Sequence, residues 1–270
     1  MSRQPLTEFY NSVGEHYDEE DAVYATLRGR LRRAFVLQWL SQQRGRLLEI
    51  GCNRGMYLAA YNGGERYGAD LSLTVLKKAR REPKICYVAA DAERMQCFRG
   101  GSFDVVLCSE VIEHCFRPNR VMESIAHVLK RSGRALITTP NYRGRRPVWV
   151  RMGSMSAAGV RGAWGDLYYH TAYRPEELAE MAERAGLRLI ESGTLEKEVK
   201  YAAKLPAALL LLGRLINRLL RSQRFGAWNE AFFNKFSLRV YFFIQKIGLE
   251  PFALKAVHEG VRSYIVVEKP

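Results

Sequence analysis

Two carboxylates and a histidine stand close together in the segment CSEVIEH, at residues 108–114. If the chain turns helical after Ser109, the side chains of Glu110, Glu113 and His114 lie within about one turn and converge. His170, further along the chain, can join them. Such a set suits a divalent metal ion, whereas one histidine suits a general base that removes a hydroxyl proton, or is simply packed. We favour His114 as the base, with Glu110 and His170 beside it, and keep Glu110, Glu113, His114 and His170 as the alternative metal set.

Small residues recur in the segment LLEIGCNRGMYL, at residues 47–58, where a buried strand gives way to a helix. Gly51, Asn53 and Gly55 alternate with other residues just after the carboxylate of Glu49. Small residues let the backbone approach a nucleotide-like ligand, and the helix that follows presents its positive N-terminal end. An ordinary strand-to-helix turn also favours glycine, so the loop alone leaves both interpretations open.

Acidic residues end the next two predicted strands. Asp70 closes the segment YGAD, 21 residues after Glu49, and its carboxylate can accept hydrogen bonds from both hydroxyls of a ribose. The alternative is a surface aspartate that caps the following helix. Asp91, followed by Ala92, ends the third predicted strand, where a carboxylate can accept a hydrogen bond from the exocyclic amine of adenine.

Strand and helix patterns alternate along most of the chain, which predicts a parallel sheet covered by helices on both faces. Ligands of such sheets bind beyond the carboxyl ends of the strands, where all of the polar motifs above are placed. Ser72 is predicted to cap the helix after the second strand. The predicted strands are 46–51, 66–72, 84–91, 103–110, 134–141, 187–193 and 261–269, and helices are predicted over 118–131 and 174–186.

The composition limits the class of protein. The chain has 270 residues, of which 47% are hydrophobic, enough for one large domain or one domain with an insertion. Its net charge of +14 attracts phosphate, either in nucleic acid or on a membrane surface. The five cysteines form no C-x-x-C pair and indicate free thiols in a reducing compartment. With neither a secretory signal nor a spanning segment recognisable, we expect a cytoplasmic protein that can be peripheral to a membrane.

Residues 196–260 interrupt the alternation and are predicted to be helical, over 198–222 and 229–247. Residues 197–255 contain eleven Lys and Arg but only three Asp and Glu, which gives a net charge of +8. The apolar faces of these helices can pack on the sheet, bind a membrane surface, or leave the basic residues to bind RNA. The many phenylalanines in AFFNKFSLRVYFFIQKI favour lipid or a hydrophobic substrate over phosphate alone.

Taken together, residues 45–195 resemble the class I S-adenosylmethionine-dependent methyltransferases, most closely the branch of the ubiquinone-biosynthesis O-methyltransferases. The resemblance rests on LLEIGCNRG, YGADLS, AADAE, FDVVLCSEVIEH, VLKRSGRALITTPN and HTAYRPEELAEMAERAGL. It implies an α/β, Rossmann-like sheet of seven strands with the last antiparallel, and S-adenosylmethionine as the cofactor. Where the family usually has glycine this chain has Asn53, the next most tolerant residue of left-handed backbone, so we expect the loop to be preserved.

The resemblance also implies contacts to the cofactor. Gly51 lies near its methionine part, and Glu49 orients the loop or meets the amino group. Tyr10 and Tyr17, near the N-terminus, either close over the cofactor or pack their segment onto the domain. The small-RNA 2′-O-methyltransferases share a similar Glu-x-x-Glu-His set but follow it with a second histidine, where this chain has Cys115. The predicted cofactor-binding residues are Tyr10, Tyr17, Glu49, Gly51, Cys52, Asn53, Gly55, Asp70, Leu71, Asp91, Ala92 and Ser109.

We therefore predict a methyltransferase that O-methylates a hydrophobic or membrane-associated small molecule. The alternatives are an RNA 2′-O-methyltransferase and a non-catalytic cofactor-binding module for a membrane or a partner. A divalent metal is possible but not favoured, and an anionic membrane surface is favoured over nucleic acid as a partner. The predicted organisation is a helical cofactor lid over 1–44, a methyltransferase core over 45–195 and 259–270, and a basic helical insertion over 196–258.

Overall fold

The computed structural model describes residues 4–16, 23–79, 85–153, 155, 158–160 and 165–270. Contacts divide the chain into two compact units. The sheet unit comprises the described parts of Met1–Glu20, Phe35–Gly193 and Arg262–Pro270, and the helical unit those of Asp21–Ala34 and Thr194–Val261. The strands are β1 (Leu47–Ile50), β2 (Arg66–Asp70), β3 (Ile85–Ala89), β4 (Phe103–Ser109), β5 (Leu129–Pro140), β6 (Trp149–Arg151), β7 (Leu167–Tyr169), β8 (Arg188–Leu195) and β9 (Arg262–Glu268).

Helices flank these strands along the chain. The helices are α1 (Gln4–His16), α2 (Leu27–Ser41), α3 (Met56–Ala60), α4 (Leu73–Lys78), α5 (Pro118–Val128), α6 (Pro175–Arg184), α7 (Glu198–Ala202), α8 (Lys204–Leu220), α9 (Gln223–Lys246) and α10 (Glu250–Lys255). A 3₁₀ helix spans Ile112–His114. The predicted cap of α4 is confirmed, because the hydroxyl of Ser72 accepts a hydrogen bond of 3.2 Å from the Val75 N–H.

Seven strands form one sheet in the order β3-β2-β1-β4-β5-β9-β8. β1 pairs in parallel with β2 and β4, β2 with β3, and β4 with β5. β9 runs antiparallel to β5, with Arg262 opposite Pro140. The predicted Rossmann-like sheet with an antiparallel last strand is confirmed. Because β9 is antiparallel, its first residue lies at the end of the sheet where the parallel strands have their last residues.

The core of the sheet unit lies between the central strands and α5. β1 is buried along its whole length, as expected of a strand with neighbours on both sides and helices on both faces. Pro118 begins α5, as predicted, and its side chains at Val121, Met122, Ile125 and Val128 are fully buried. Burying each of these side chains contributes about 1.5–3 kcal/mol, so this face holds α5 on the core of the central strands.

The boundary between α5 and β5 differs from the prediction. The helix ends at Val128 instead of residue 131, and β5 begins at Leu129 instead of residue 134. Leu129 has extended backbone and lies opposite Phe103. The pairing of β4 with β5 then shifts register before Val105, with Ser132 in the left-handed region at φ 61. The pairing with β4 therefore extends the strand through residues whose sequence pattern continues the helix.

A small second sheet, which the sequence pattern did not predict, lies between β5 and α6. β6 and β7 pair antiparallel, with Trp149 opposite Tyr169 and Arg151 opposite Leu167. Each strand has only three residues, too few for a periodicity to be recognised. This hairpin carries Tyr168 and, directly after it, His170.

Within the helical unit, the predicted helix over 198–222 is two helices, α7 and α8, and the second predicted helix begins at Gln223 instead of residue 229. Arg221 has left-handed backbone at φ 49 and ends α8. The Ser222 hydroxyl then accepts a 3.2 Å hydrogen bond from the Phe225 N–H and caps α9. The turn is therefore much tighter than the sequence pattern suggested. At the base of the unit, the N–H of Gly260 donates to Thr194 Oγ1 at 2.8 Å, so the segment ends beside its own beginning.

The core of the helical unit is small. Leu27 from α2 and Val199 and Ala202 from α7 are buried together, and Leu238 and Tyr241 of α9 pack against them. In contrast, much of the apolar surface of α8 is exposed. Of the described helices, none is both long enough and apolar enough to cross a bilayer.

Candidate active site

The loop after β1 has the backbone that its small residues allow. Gly51, Asn53 and Gly55 all have positive φ, at 71°, 48° and 77°. Asn53 does take the left-handed conformation that the missing glycine would take, as predicted. A Cβ at Gly51 would lie 2.3 Å from Val111 Cγ2, and one at Gly55 would lie 2.4 Å from the Tyr87 hydroxyl oxygen. Both glycines are therefore required by the packing of the protein itself, whatever ligand the loop also accommodates.

Asp70, at the end of β2, connects the loop after β1 to the end of β2. One carboxylate oxygen accepts a 3.0 Å hydrogen bond from the Asn53 N–H, and the other accepts one of 2.9 Å from the Ser72 N–H. Burial raises the pKa of Asp70, and the N–H groups of Ser72, Asn53 and Leu71 oppose that increase. Ser72 caps α4. Asp70 is therefore not the helix cap that was the alternative interpretation of its position, and instead accepts hydrogen bonds from the loop after β1 and from Ser72.

The other predicted strand-end residues lie along the same edge. The N–H of Ala90 donates to the Asp70 carbonyl at 2.9 Å, which places Asp91 and Ala92 just beyond Asp70 on the neighbouring strand. Asp91 Oδ1 accepts a 2.9 Å hydrogen bond from the Glu93 N–H and so shapes the turn after β3. Glu49 is buried within β1, and Cys52 is buried in the loop that follows.

An ion pair between Glu110 and Arg262 lies at the ends of β4 and β9. The side chains are only 18% and 15% exposed, so the pair is largely shielded from water. Thr138 donates its hydroxyl to Glu110 Oε1 at 3.1 Å and lies 2.9 Å from the Ser109 hydroxyl. Glu110 itself has left-handed backbone at φ 60, an unfavourable conformation for a residue other than glycine, which the surrounding contacts must stabilise.

Arg262 is not among the site residues predicted from the sequence. The signal was nevertheless present, because Arg262 opens the strand predicted to be antiparallel. An antiparallel strand starts where its parallel neighbours end, so its first residues belong to the same edge as their last ones.

Three of the four residues of the alternative metal set come together. The ligand atoms of Glu113, His114 and His170 all lie within 4.8 Å of one another. The chain forms a 3₁₀ helix here, instead of an α-helix, and directs Glu110 to Arg262. The imidazoles of His114 and His170 meet edge to face, with ring centroids 4.8 Å apart.

Burial sets the protonation of this group. It lowers the pKa of His114 to about 3, assisted by the neighbouring His170, and it also lowers the pKa of His170. Burial and the adjacent Glu110 raise the pKa of Glu113 well above its usual value, although the Thr139 hydroxyl donates to Glu113 Oε2 at 3.1 Å. At neutral pH both imidazoles are uncharged, so each has a free lone pair for a proton or a cation.

Aromatic residues surround His114. Tyr10 from α1 meets the imidazole edge to face at 5.9 Å between ring centroids, and Tyr168 from β7 stacks on it at 6.2 Å. Phe9 stacks on Tyr168 at 5.9 Å. The tyrosine and the phenylalanine of α1 therefore form one wall of the space around His114. Tyr168 and Phe9 were not predicted; the other predicted lid residue, Tyr17, lies outside the described residues.

The same helix also contacts the start of α4, just after the end of β2. Asn11 Oδ1 accepts a 3.0 Å hydrogen bond from the Ser72 hydroxyl and a weaker one of 3.4 Å from the Thr74 N–H. A Cβ at Gly14 would lie 2.5 Å from Val75 Cγ2, so α1 and α4 pack closely. Successive turns of α1 thus link the histidine cluster to the end of β2.

Comparisons with known proteins agree with this geometry. Residues 48–137 match the model of the methyltransferase domain family. The chain is 29% identical over 163 residues to a ubiquinone biosynthesis O-methyltransferase of Bordetella avium, a match that covers 56% of this chain and 67% of the relative. Residues 48–137 hold β1 to most of β5, the strands that carry the loop, Asp70 and the EVIEH segment.

Solved structures extend the likeness beyond the matched domain. The structure of the [4+2]-cyclase SpnF aligns with a TM-score of 0.60 at 16% identity, over all of this chain and 96% of the other. Phosphoethanolamine N-methyltransferase 2 of Haemonchus contortus, solved with S-adenosyl-L-methionine, aligns with a TM-score of 0.56 at 19% identity, over 97% of this chain and 60% of the other. At such identities these alignments show the fold alone.

The strand order and the strand-end site define the class I methyltransferase fold. Combined with the domain match over residues 48–137 and the curated relatives, they support a class I S-adenosylmethionine-dependent methyltransferase. A second ubiquinone biosynthesis O-methyltransferase, from Xanthomonas axonopodis pv. citri, is 28% identical over 185 residues, which cover 65% of this chain and 76% of the relative.

Proposed function

We propose that this enzyme transfers a methyl group to a hydroxyl of a hydrophobic or membrane-associated small molecule. The observation that carries the proposal is the uncharged His114, enclosed by Tyr10, Tyr168 and His170 at the edge of the sheet where the loop after β1 also lies. The apolar, aromatic surroundings favour an acceptor with little charge of its own.

The cofactor residues follow from the strand ends. Asp70 accepts from the ribose hydroxyls with the lone pairs that its two backbone hydrogen bonds leave available, and Asp91 with Ala92 contacts adenine. The loop from Gly51 to Gly55, including Cys52 and Asn53, faces the methionine part, with Glu49 behind it. Leu71, Ser109 and Tyr10 complete the proposed contacts.

When bound, S-adenosylmethionine supplies an electrophilic methyl group on a positively charged sulfur. His114 holds the acceptor hydroxyl through the lone pair of its imidazole. His114 would take the proton of the acceptor hydroxyl as that oxygen accepts the methyl group, and the positive charge that the cofactor supplies would then reside on the imidazolium of His114. Because burial lowers the pKa of His114 to about 3, the imidazole is uncharged at neutral pH but is a weak base for the hydroxyl proton.

A divalent cation is the second candidate for this cluster. Glu113 and two uncharged imidazoles supply one carboxylate and two nitrogen ligands. A cation there would hold Glu113 ionised against the effect of burial. In that case the metal set lacks Glu110, which pairs with Arg262.

Calorimetry with S-adenosylhomocysteine tests the cofactor site. Asp70→Asn removes the charge from the proposed ribose contact and is expected to weaken binding about 10- to 100-fold, the loss of a charged hydrogen bond of roughly 1.5–3 kcal/mol. Asp104→Asn is a matched control, since Asp104 also accepts from a backbone N–H but lies at the start of β4, on the opposite edge. Equal affinity in the two variants would refute the ribose role of Asp70.

Transfer of labelled methyl groups to a panel of alkyl-substituted phenols and catechols tests the chemistry. His114→Gln is expected to lower turnover about 10²- to 10⁴-fold while the affinity for S-adenosylhomocysteine is kept. Loss of the native activity in EDTA, restored by a divalent cation, would favour the metal instead. Methylation of RNA but of no phenol, together with salt-dependent binding of RNA in a gel shift, would replace the proposed acceptor class.

A further inference from the structure

In the helix pair α8–α9, a polar side chain is buried between the helices and many apolar side chains are exposed, the reverse of the usual arrangement of helices that pack in water. Asn229 is 5% exposed in the contact between the two helices, and its Nδ2 donates to the Leu210 carbonyl at 3.0 Å. A Cβ at Gly213 would lie 2.3 Å from Asn229 Oδ1, and Ser237 of α9 is buried as well. Gly213 and the polar Asn229 therefore lie in the contact together with Leu210, where amphipathic helices in water bury mainly apolar residues.

The apolar residues of the same helices lie outside. Leu219 is 87% exposed, and Leu211, Leu215, Leu220, Trp228 and Phe243 are each more than half exposed. Small residues with polar hydrogen bonds between helices, and Leu and aromatic residues outside, are the pattern of helices packed in lipid. Because none of the described helices is long and apolar enough to cross a bilayer, lipid contact here means the interface of one leaflet.

The charge selects the occupant of this surface. From Lys204 to Lys255 the chain has nine Lys and Arg but only two Asp and Glu. A second copy of the chain would bring the same positive charge against itself, whereas an anionic lipid surface complements it. Arg218, Arg221 and Arg224 are exposed around the turn between the helices, beside Leu219 and Leu220 in sequence.

We propose that the α8–α9 pair is an interfacial docking surface for membranes with anionic headgroups, in which the exposed leucines and aromatics enter the acyl boundary and the arginines bind headgroup phosphates. The proposal extends the proposed function, since a membrane-associated acceptor gives this surface its use. It does not depend on the identity of the acceptor.

Sedimentation with vesicles tests the proposal. At low salt, the native protein is expected to bind vesicles of phosphatidylcholine and phosphatidylglycerol, and to bind pure phosphatidylcholine much more weakly. Reversing Arg218, Arg221 and Arg224 to Glu is expected to lower the partition coefficient about 100-fold, because each basic residue lost near an anionic surface costs about fivefold. The matched control reverses three exposed basic residues of the sheet unit, Lys77, Arg99 and Arg131, with the same change in net charge. This control is expected to keep most of the binding.

A second variant tests the apolar contribution without altering charge. Leu219→Ser with Leu220→Ser is expected to lower binding about 10- to 100-fold and to leave the fold intact, because both side chains are exposed. Three outcomes would overturn the proposal: no sedimentation of the native protein, equal loss in the charge control, or a native dimer that the double serine variant turns into a monomer without any binding to vesicles. The affinity for S-adenosylhomocysteine, measured in every variant, separates failure of this surface from failure of the proposed active site.

Discussion

Replacing Gly51 with alanine measures how tightly the loop after β1 is built. The alanine must adopt φ near 71°, at a cost of about 1–2 kcal/mol for a residue with a Cβ. Its Cβ would also lie 2.3 Å from Val111 Cγ2. Relieving such an overlap in a packed region costs about 1–3 kcal/mol. The free energy of unfolding should therefore fall by about 2–5 kcal/mol, which is a large share of the stability of a typical domain.

Gly186→Ala is the matched control. Gly186 has a similar φ of 79°, but a Cβ there meets nothing within 4 Å. This variant should lose only the backbone contribution of about 1–2 kcal/mol. Urea unfolding followed by circular dichroism gives the two losses, and the excess at Gly51 measures the collision with Val111.

A double-mutant cycle then isolates the collision. Val111→Ala removes the methyl group that the new Cβ meets, so in its presence Gly51→Ala should destabilise no more than Gly186→Ala does. The expected coupling is about 1–3 kcal/mol. Equal losses at Gly51 and Gly186, or a coupling near zero, would refute the assignment of Val111 as the neighbour that requires glycine. If the stable double variant binds S-adenosylhomocysteine more weakly than the native protein does, the ligand also requires glycine at position 51.

Two further predictions concern residues around His114. Arg262→Gln should destabilise the protein by about 3–5 kcal/mol, because Glu110 is left as a largely buried charge without its ion pair; the variant Arg262→Gln with Glu110→Gln should recover much of that loss in urea unfolding, and no recovery would contradict the pairing. Because the pKa of His114 is about 3 in the folded protein and near 6.5 in the unfolded chain, the unfolded chain binds the extra proton as the pH falls below 6.5, and stability is lost toward pH 3. The loss between pH 7 and pH 5 should be about 2 kcal/mol smaller in His114→Gln than in the native protein, and identical slopes of unfolding free energy against pH would show that the imidazole titrates normally.

The sequence predicted the parts of the fold and site that depend on local signals. Alternating strand and helix patterns are sufficient to place a parallel sheet, and strand ends then locate Asp70, Asp91 and Glu110 on one edge. The left-handed backbone at Asn53 followed from the tolerance of asparagine for that region. In each case the residue and its immediate neighbours determine the result.

The parts that were missed depend on contacts between distant segments. Arg262 reaches Glu110 only because β9 pairs antiparallel to β5. Tyr168 lies on a three-residue strand that has no readable period. The turn at Arg221 places a residue other than glycine in left-handed backbone, so no glycine marks this turn in the sequence.

The hydrogen bond between Gly260 and Thr194 has a consequence for how the enzyme can be divided. Because the chain re-enters the sheet unit beside the point at which it leaves, closing the gap with a short turn requires little additional ordering of the chain. The sheet unit can therefore be separated from the proposed membrane-docking surface by one internal deletion, between residues 195 and 260. Such a deletion uncovers Leu27, which is buried by α7 and α9 in the intact protein, so the shortened enzyme needs a polar residue at that position to remain soluble.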